Sequence, residues 1–284
     1  MVTRSLIGVA CMCMLPACDV LGPGDGDGPR LLAEFGPADI EYAPPDPGDS
    51  IVDVAIFLGV AAPELKGDWR SRATTGVRDA VDFVNEQVFA QCALHVRLER
   101  AGVVGLPQRL LSIQGNERGS WGGHPPPGVD DSLRFVYDER ERLTAETREL
   151  FTFGKRHSAR STIAAFTVDH ITYYIGEDPT PARGLSFPPV VYHHSDDYPA
   201  RNSVLIGELP RSANGVPEDI PGDVLAHELA HMLLNSPLHD GAAENLMGSG
   251  GLKLDAGQCA QMKDNNELLF GDSAVVDPGR PAEP

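Results

Sequence analysis

The sequence predicts an α+β fold, in which strands and helices alternate along the chain ahead of a helix that carries metal-binding side chains. The apolar run over residues 51–60 has the composition of a buried strand. A helix is predicted over residues 72–90, because four valines recur there at helical spacing: Val77, Val81, Val84 and Val88. Residues 93–99 then alternate apolar and polar side chains, which indicates a half-exposed strand.

Further elements continue this alternation towards the C-terminus. A second helix is predicted over residues 144–156, and strands are predicted over residues 170–176 and 203–208. Near the end of the chain, Asp255 and Gln258 have the spacing of a capping box, in which each side chain bonds to the backbone of the other residue. A final helix of about 14 residues is expected from this start.

Two histidines and a glutamate mark the helix that precedes this final segment. His227 and His231 are four residues apart, so on a helix both imidazoles project from one face, with Glu228 beside them. The helix is expected to begin near Pro221, because proline suits the first turn. It is expected to end at Asn235, because asparagine accepts the left-handed conformation that terminates helices. The pattern therefore predicts two metal ligands and a neighbouring carboxylate on one short helix.

A third ligand is expected after the turn that follows this helix, because a residue farther along the same helix could not close a tetrahedral site. The candidates are His239, Asp240 and Glu244. Neutral imidazole is the commonest zinc ligand of the three side chains, which favours His239 over Asp240 and places Glu244 third.

The stretch from His227 to Met247 resembles the metzincin clan of zinc endopeptidases. In that clan a His-Glu-x-x-His helix is followed by a third ligand and then by a turn that contains methionine. The resemblance implies that His227, His231 and His239 hold one catalytic zinc ion and that Glu228 is the general base. It also implies that Met247 lies beneath the metal as an apolar floor. The turn before the third ligand is longer in this chain than in the family.

The same resemblance implies a twisted, mainly parallel sheet with packed helices, an active-site helix and a small C-terminal subdomain. The implied activity is hydrolysis of peptide bonds in a protein or peptide substrate by a metal-activated water, with Glu228 as general base. Two alternatives stay open: a zinc hydrolase of another clan, and a lipid-anchored surface protein that binds zinc without catalysis. Glu228 favours an enzyme, because a purely structural metal site needs no base beside its ligands.

The N-terminus predicts export from the cytoplasm. Residues 1–17 combine one basic residue, Arg4, with a short apolar run, as in a signal peptide of the lipoprotein type. The run ends at Cys18 in a sequence that resembles the bacterial lipobox, so Cys18 is the expected site of acylation, for example by palmitate. This predicts an anchor in a lipid bilayer of the cell envelope, at the periplasmic face or in the outer membrane. Ordinary secretory cleavage near Ala17 is the alternative.

Composition divides the remainder of the chain into three parts. Residues 18–48 are rich in glycine and proline, which predicts a flexible tether. Residues 49–270 are long enough for one substantial core and are expected to form a single metallopeptidase domain. Residues 271–284 are rich in proline, aspartate and glycine, which predicts a disordered tail.

The cysteines and the net charge limit the remaining possibilities. Cys92 and Cys259 are the cysteines left after export and lipidation, and they form a possible disulfide in an oxidising compartment. Two separate buried thiols are the alternative. The formal net charge of −18 disfavours binding to nucleic acid. The protein is expected to be a monomer.

Overall fold

The computed structural model describes most of the chain from residue 28 to residue 270, in these ranges: 28–61, 65, 67–116, 134–135, 145–175, 178–189, 199–207, 217, 219–236, 238–239, 241–248 and 250–270. The predicted signal peptide, Cys18 and the predicted tail lie outside the described residues. The described strands are β1 (Arg30–Phe35), β2 (Ser50–Val60), β3 (Leu94–Gly105), β4 (Ser112–Asn116), β5 (Arg134–Phe135), β6 (Ile163–Thr167), β7 (His170–Ile175), β8 (Asp178–Ala182), β9 (Gly184–Ser186) and β10 (Ser203–Ile206). The described α-helices are α1 (Trp69–Phe83), α2 (Ala145–Arg156), α3 (Gly222–Leu234) and α4 (Ala256–Asn265).

The larger sheet has the strand order β1-β3-β2-β6-β10-β9. Its inner strands β3, β2, β6 and β10 are parallel to one another, and the outer strands β1 and β9 are antiparallel to their neighbours. The fold is therefore mixed α/β with a mainly parallel central sheet. This agrees with the predicted combination of helices and a mainly parallel sheet.

A second, smaller sheet has the strand order β5-β4-β7-β8. Strand β8 pairs with β7 in this sheet, and the chain then continues through Arg183 into β9 at the edge of the central sheet. One continuous segment thus forms an edge of both sheets. The strand predicted over residues 170–176 is confirmed as β7, and it belongs to the second sheet.

The central sheet buries apolar side chains on both faces. On β2, alternate residues face a core that includes α1, α3 and α4: Val52, Val54, Ile56, Leu58 and Val60. The intervening Ala55 and Phe57 face a second core with α2 and β7. Full burial of such a side chain stabilises a fold by about 1.5–3 kcal/mol, so this strand anchors both layers. The buried strand predicted over residues 51–60 is confirmed.

The helical predictions agree with the structure, with small changes at the ends. The helix predicted over residues 72–90 is α1 followed by a π-helical turn, Val84–Val88, and a 3-10 turn, Phe89–Cys92. The helix predicted over residues 144–156 is α2. The predicted capping box of α4 is present, and the helix continues as a π-helical turn, Asn266–Phe270.

The tether prediction is wrong for part of its range, because residues 30–35 form β1 and pair with β3. Phe35 and Ile40 are buried in the core next to the sheet. The folded domain therefore begins by residue 30 and not at residue 49. A strand at a sheet edge needs only one apolar face, so β1 has few apolar residues that could identify it. The glycine and proline on either side of β1 are typical of a linker, and they led to the tether prediction.

Two strands that matter for the site have no counterpart among the predictions. The central strand β6 is entirely buried, so its sequence shows no alternation of apolar and polar residues. Strand β9 has three residues and is defined by its pairing with β10 rather than by its own composition. Strand β3 also extends well beyond the predicted residues 93–99.

The C-terminal segment is joined covalently to the N-terminal half. Cys92, after α1, and Cys259, in α4, form a disulfide across 167 positions of sequence. Close by, Gln91 donates a hydrogen bond through Nε2 to the Leu252 carbonyl at 2.8 Å and accepts one through Oε1 from the Leu254 amide at 3.4 Å. The predicted pairing of these cysteines is confirmed. Within the described residues, no helix has the length and apolar character needed to cross a bilayer.

Replacing both cysteines with alanine is expected to lower the free energy of unfolding by about 3–5 kcal/mol, because the disulfide restricts a long loop in the unfolded chain. Urea titration of the wild type and of the Cys92→Ala, Cys259→Ala variant measures the difference. A reductant should destabilise the wild type and leave the variant unchanged. Equal stability of the oxidised and reduced wild type would contradict the expectation.

Candidate metal centre

Helix α3 lies in the interior, where protein surrounds it on most sides. Ten of its 13 residues are buried. It packs against α1, α4, β9 and β10. Its first residue, Gly222, approaches Phe83 so closely that an added Cβ would lie 2.6 Å from the Phe83 Cβ. Asn235 caps the C-terminus of α3, and its left-handed conformation (φ 50°) matches the predicted end of the helix.

The two histidines of α3 are held in defined orientations by backbone carbonyl groups. The Nδ1 atom of His227 lies 2.6 Å from the Leu246 carbonyl oxygen, and the Nδ1 atom of His231 lies 2.8 Å from the Ser236 carbonyl oxygen. A carbonyl oxygen only accepts hydrogen bonds, so both Nδ1 atoms carry the proton. In the neutral rings the Nε2 atoms then keep their lone pairs, which is the form that binds metals.

A third imidazole, that of His239, lies beside these two rings. One ligand atom from each of His227, His231 and His239 lies within 4.8 Å of the others. The Nε2 atoms of His227 and His239 are 3.3 Å apart. Two nitrogens bound to one tetrahedral ion at about 2.0–2.1 Å are separated by roughly that distance. The three histidines are therefore close enough to bind one metal ion, and the set of donors fits zinc.

Burial keeps the two helix histidines in their neutral, metal-binding form. His231 is only 4% exposed, and burial lowers its pKa to about 3, with a further contribution from the neighbouring His227. Burial also lowers the pKa of His227, although the hydrogen bond to the Leu246 carbonyl opposes the shift. Neither ring has to lose a proton before it binds a cation at neutral pH.

The carboxyl group of Glu228 is buried against the edge strand β9. Glu228 is 6% exposed, and burial raises its pKa to about 8, while a hydrogen bond with the Ser186 side chain opposes the shift. A Cβ atom added to Gly184 would lie 2.6 Å from the Glu228 Cγ and 2.7 Å from its Cδ. Only glycine at position 184 leaves room for this carboxylate.

The turn around Met247, residues 245–248, orients His227 through a backbone carbonyl and is called the methionine turn below. The Leu246 carbonyl, which accepts the His227 hydrogen bond, lies between Asn245 and Met247. The Asn245 Oδ1 accepts a hydrogen bond from the Met247 amide at 2.8 Å, and the Asn245 Nδ2 donates to the Gln258 Oε1 at 2.8 Å. Gln258 belongs to the capping box of α4, so this turn is fixed to the start of that helix. Met247 is buried in the first core; its role beneath a metal stays a prediction.

Of the two alternative third ligands, the structure describes Glu244 and does not describe Asp240. Glu244 is exposed and forms an ion pair with Lys253, and it is not among the residues that converge on the two helix histidines. Asp240 lies outside the described residues. Among the described candidates, His239 is the one that the structure brings to the site, as the sequence favours.

Sequence reasoning missed the groups that orient the site. Ser186 and Gly184 contact Glu228, and the Leu246 and Ser236 carbonyls fix the imidazoles. Backbone carbonyls have no sequence signature, because every residue carries one. Ser186 and Gly184 are a few dozen residues away from Glu228 in sequence, and only the pairing of β9 with β10 brings them next to α3.

Loss of a group that only supports a metal ligand weakens metal binding by roughly 10- to 100-fold. His239→Ala removes a direct ligand, so it is expected to weaken zinc binding by more than this. Glu244→Ala is the matched control and should keep the affinity of the wild type. Competition with a chromogenic chelator measures both. Unchanged affinity in His239→Ala would contradict the assignment, and a loss in Asp240→Asn alone would move the role to Asp240.

The chain matches no model of a known protein family, and no curated protein matches it.

Proposed function

We propose that the protein is a zinc-dependent endopeptidase with a metzincin-like site. The observation that carries the proposal is the combination of three converging imidazoles with a buried carboxylate next to the first of them on the same helix. A metal site that only stabilises a fold needs ligands but no carboxylate packed beside them. The placement of Glu228 between the ligands and a sheet edge favours catalysis over the non-catalytic alternative.

The residues of the chain have separate tasks in this proposal. His227, His231 and His239 would hold the ion through their Nε2 atoms, and the carbonyls of Leu246 and Ser236 keep two of the rings in place. When bound, zinc supplies Lewis acidity, which polarises a peptide carbonyl and makes water more acidic. In its ionised form, which a bound cation favours, Glu228 takes a proton from the attacking water and returns it to the amine nitrogen of the leaving group.

The position of a sheet edge next to Glu228 favours a peptide as the substrate. Strand β9 is the last strand of the central sheet among the described residues, and it contacts α3. An extended peptide can add to such an edge through backbone hydrogen bonds, largely independently of its side chains. Peptide bonds of the added segment would then lie close to the Glu228 carboxylate.

Export to the cell envelope with a lipid anchor at Cys18 remains part of the proposal. The disulfide between Cys92 and Cys259 supports an oxidising compartment, because disulfides are rare in proteins of the reducing cytosol. The net charge of −18 favours an activity on protein or peptide over one on nucleic acid.

Glu228→Gln is expected to bind zinc as the wild type does and to lose at least about 100-fold in peptidase activity, because the amide cannot accept the proton. Hydrolysis of a mixed peptide library, followed by mass spectrometry with and without a chelator, measures the activity. The exposed Glu86→Gln is the control and should cleave normally. Cleavage at the wild-type rate by Glu228→Gln, or chelator-resistant cleavage by the wild type, would refute the proposal.

A further inference from the structure

Helix α4 supports the turn that orients His227. In its first turn, Gln258 forms a reciprocal amide pair with Asn245. The Asn245 Nδ2 donates to the Gln258 Oε1 at 2.8 Å, and the Gln258 Nε2 donates to the Asn245 Oδ1 at 3.2 Å. The same Asn245 Oδ1 accepts a hydrogen bond from the Met247 amide at 2.8 Å. Between these two residues lies the Leu246 carbonyl, which accepts the hydrogen bond of the His227 ring.

Helix α4 also holds the end of α3. The Gln261 Nε2 donates to the Leu234 carbonyl at 2.8 Å, and the Asn265 Nδ2 donates to the Leu233 carbonyl at 2.8 Å. Carbonyl groups in the last turn of a helix have no partner within that helix, so these side chains replace the missing donors. The Ser236 carbonyl, which orients the second histidine of α3, follows two residues after Leu234. One short helix thus supports both segments that orient the imidazoles.

The disulfide restrains a helix that has few buried apolar residues of its own. Among the ten residues of α4, the buried one is Met262. Cys259 directly follows Gln258 and is bonded to Cys92, which is buried after the end of α1. Cys259 is only half-buried, so a small reductant can reach its sulfur.

We infer that the Cys92–Cys259 disulfide is a redox switch for metal binding, and that the protein holds zinc tightly only while this bond is formed. A thiol reductant breaks the S–S bond by exchange. The two protein sulfurs gain two electrons and two protons and become thiols, and the reductant is oxidised to its own disulfide. The start of α4 then loses its covalent link to the end of α1. The amide pair consequently holds the Leu246 carbonyl less firmly against the His227 ring, so this ligand is less well oriented for the metal.

This inference rests on the zinc site of the proposed function and adds its regulation. Thiols stay reduced in the cytosol, so a newly made chain binds zinc weakly there and gains its metal after it reaches an oxidising compartment. Peptide cleavage inside the producing cell is thereby limited. The coupling is reciprocal: if the disulfide strengthens zinc binding by a given factor, bound zinc favours the disulfide over the two thiols by the same factor.

The first test compares zinc affinities by competition with a chromogenic chelator. The Cys92→Ala, Cys259→Ala variant lacks the bond and has no thiols that bind zinc themselves. Its affinity should be about five- to tenfold weaker than that of the oxidised wild type, at the lower end of typical coupling between sites. Ile113→Ala is the matched control, because it creates a cavity in the second core, across the central sheet from α4. It should lower the stability of the fold and keep the zinc affinity of the wild type.

A double-mutant cycle tests whether the coupling passes through the amide pair. Gln258→Ala in the oxidised protein should weaken zinc binding by about five- to tenfold, because Gln258 acts one step farther from the ring than a direct partner of the ligand. Added to the loss of the two cysteines, Gln258→Ala should weaken binding little further, since both changes release the same turn. Asp264→Ala alters an exposed residue of the same helix and should leave the affinity unchanged.

The reciprocal test measures the reduction potential of the disulfide in the wild type. The protein is equilibrated with mixtures of reduced and oxidised glutathione while a metal buffer fixes the free zinc, and alkylation followed by mass spectrometry counts the thiols. The potential should be about 20–30 mV more negative in the zinc-saturated protein than in the zinc-free protein, which corresponds to a five- to tenfold change for a two-electron couple. In Gln258→Ala this difference should largely disappear.

The outcomes separate the switch from the proposed function. Equal zinc affinity of the wild type and the double cysteine variant, additive effects in the cycle, or equal potentials with and without zinc would overturn the switch while the zinc site stands. An equal loss of affinity in Ile113→Ala would assign the effect to general destabilisation and would also overturn it. Should the double cysteine variant not fold, the redox titration of the wild type and of Gln258→Ala decides. If the oxidised wild type binds no zinc, or binds it no better than His239→Ala, the proposed function fails and the inference fails with it.

Discussion

The site depends on two hydrogen bonds between ring Nδ1 atoms and backbone carbonyls. The carbonyls of Leu246 and Ser236 fix the rings of His227 and His231, so that both Nε2 atoms face the space that His239 borders. Without these bonds, each imidazole could rotate or present the wrong nitrogen. Metal binding at this site would therefore depend on the turn that ends α3 and on the turn around Met247, which orient the rings that the helix carries.

The C-terminal segment holds one of these carbonyls in place. Leu246 is connected to α4 through the contacts between Asn245 and Gln258, and α4 is tied to the N-terminal half by the disulfide at Cys259. The hydrogen bonds of Gln91 with the Leu252 and Leu254 backbone close the same connection. The orientation of the His227 ring thus depends on a contact network that reaches the end of α1, and the small final helix is part of that network.

Sequence signals that act over a few residues predicted the helices and their ends. They did not predict which strands pair with one another, because strand partners are distant in sequence. Helical spacing, the left-handed Asn235 and the Asp255 capping box each act within a few residues, so the sequence reveals them. The sequence offers three candidates for a third metal-binding side chain, because the path of the chain after a turn depends on what it packs against. Strands β1, β6 and β9 were missed for the same reason: their partners, not their own periodicity, make them strands.

The proposed function requires that one divalent ion be held by the Nε2 atoms of His227, His231 and His239. X-ray absorption spectroscopy of the zinc-loaded protein tests this coordination, because the spectrum reports the type, number and distance of the ligand atoms. We expect three imidazole nitrogens at about 2.0–2.1 Å from the zinc ion and at least one oxygen from solvent. A zinc ion surrounded mainly by carboxylate oxygens or sulfur, or with fewer than three imidazoles, would contradict it.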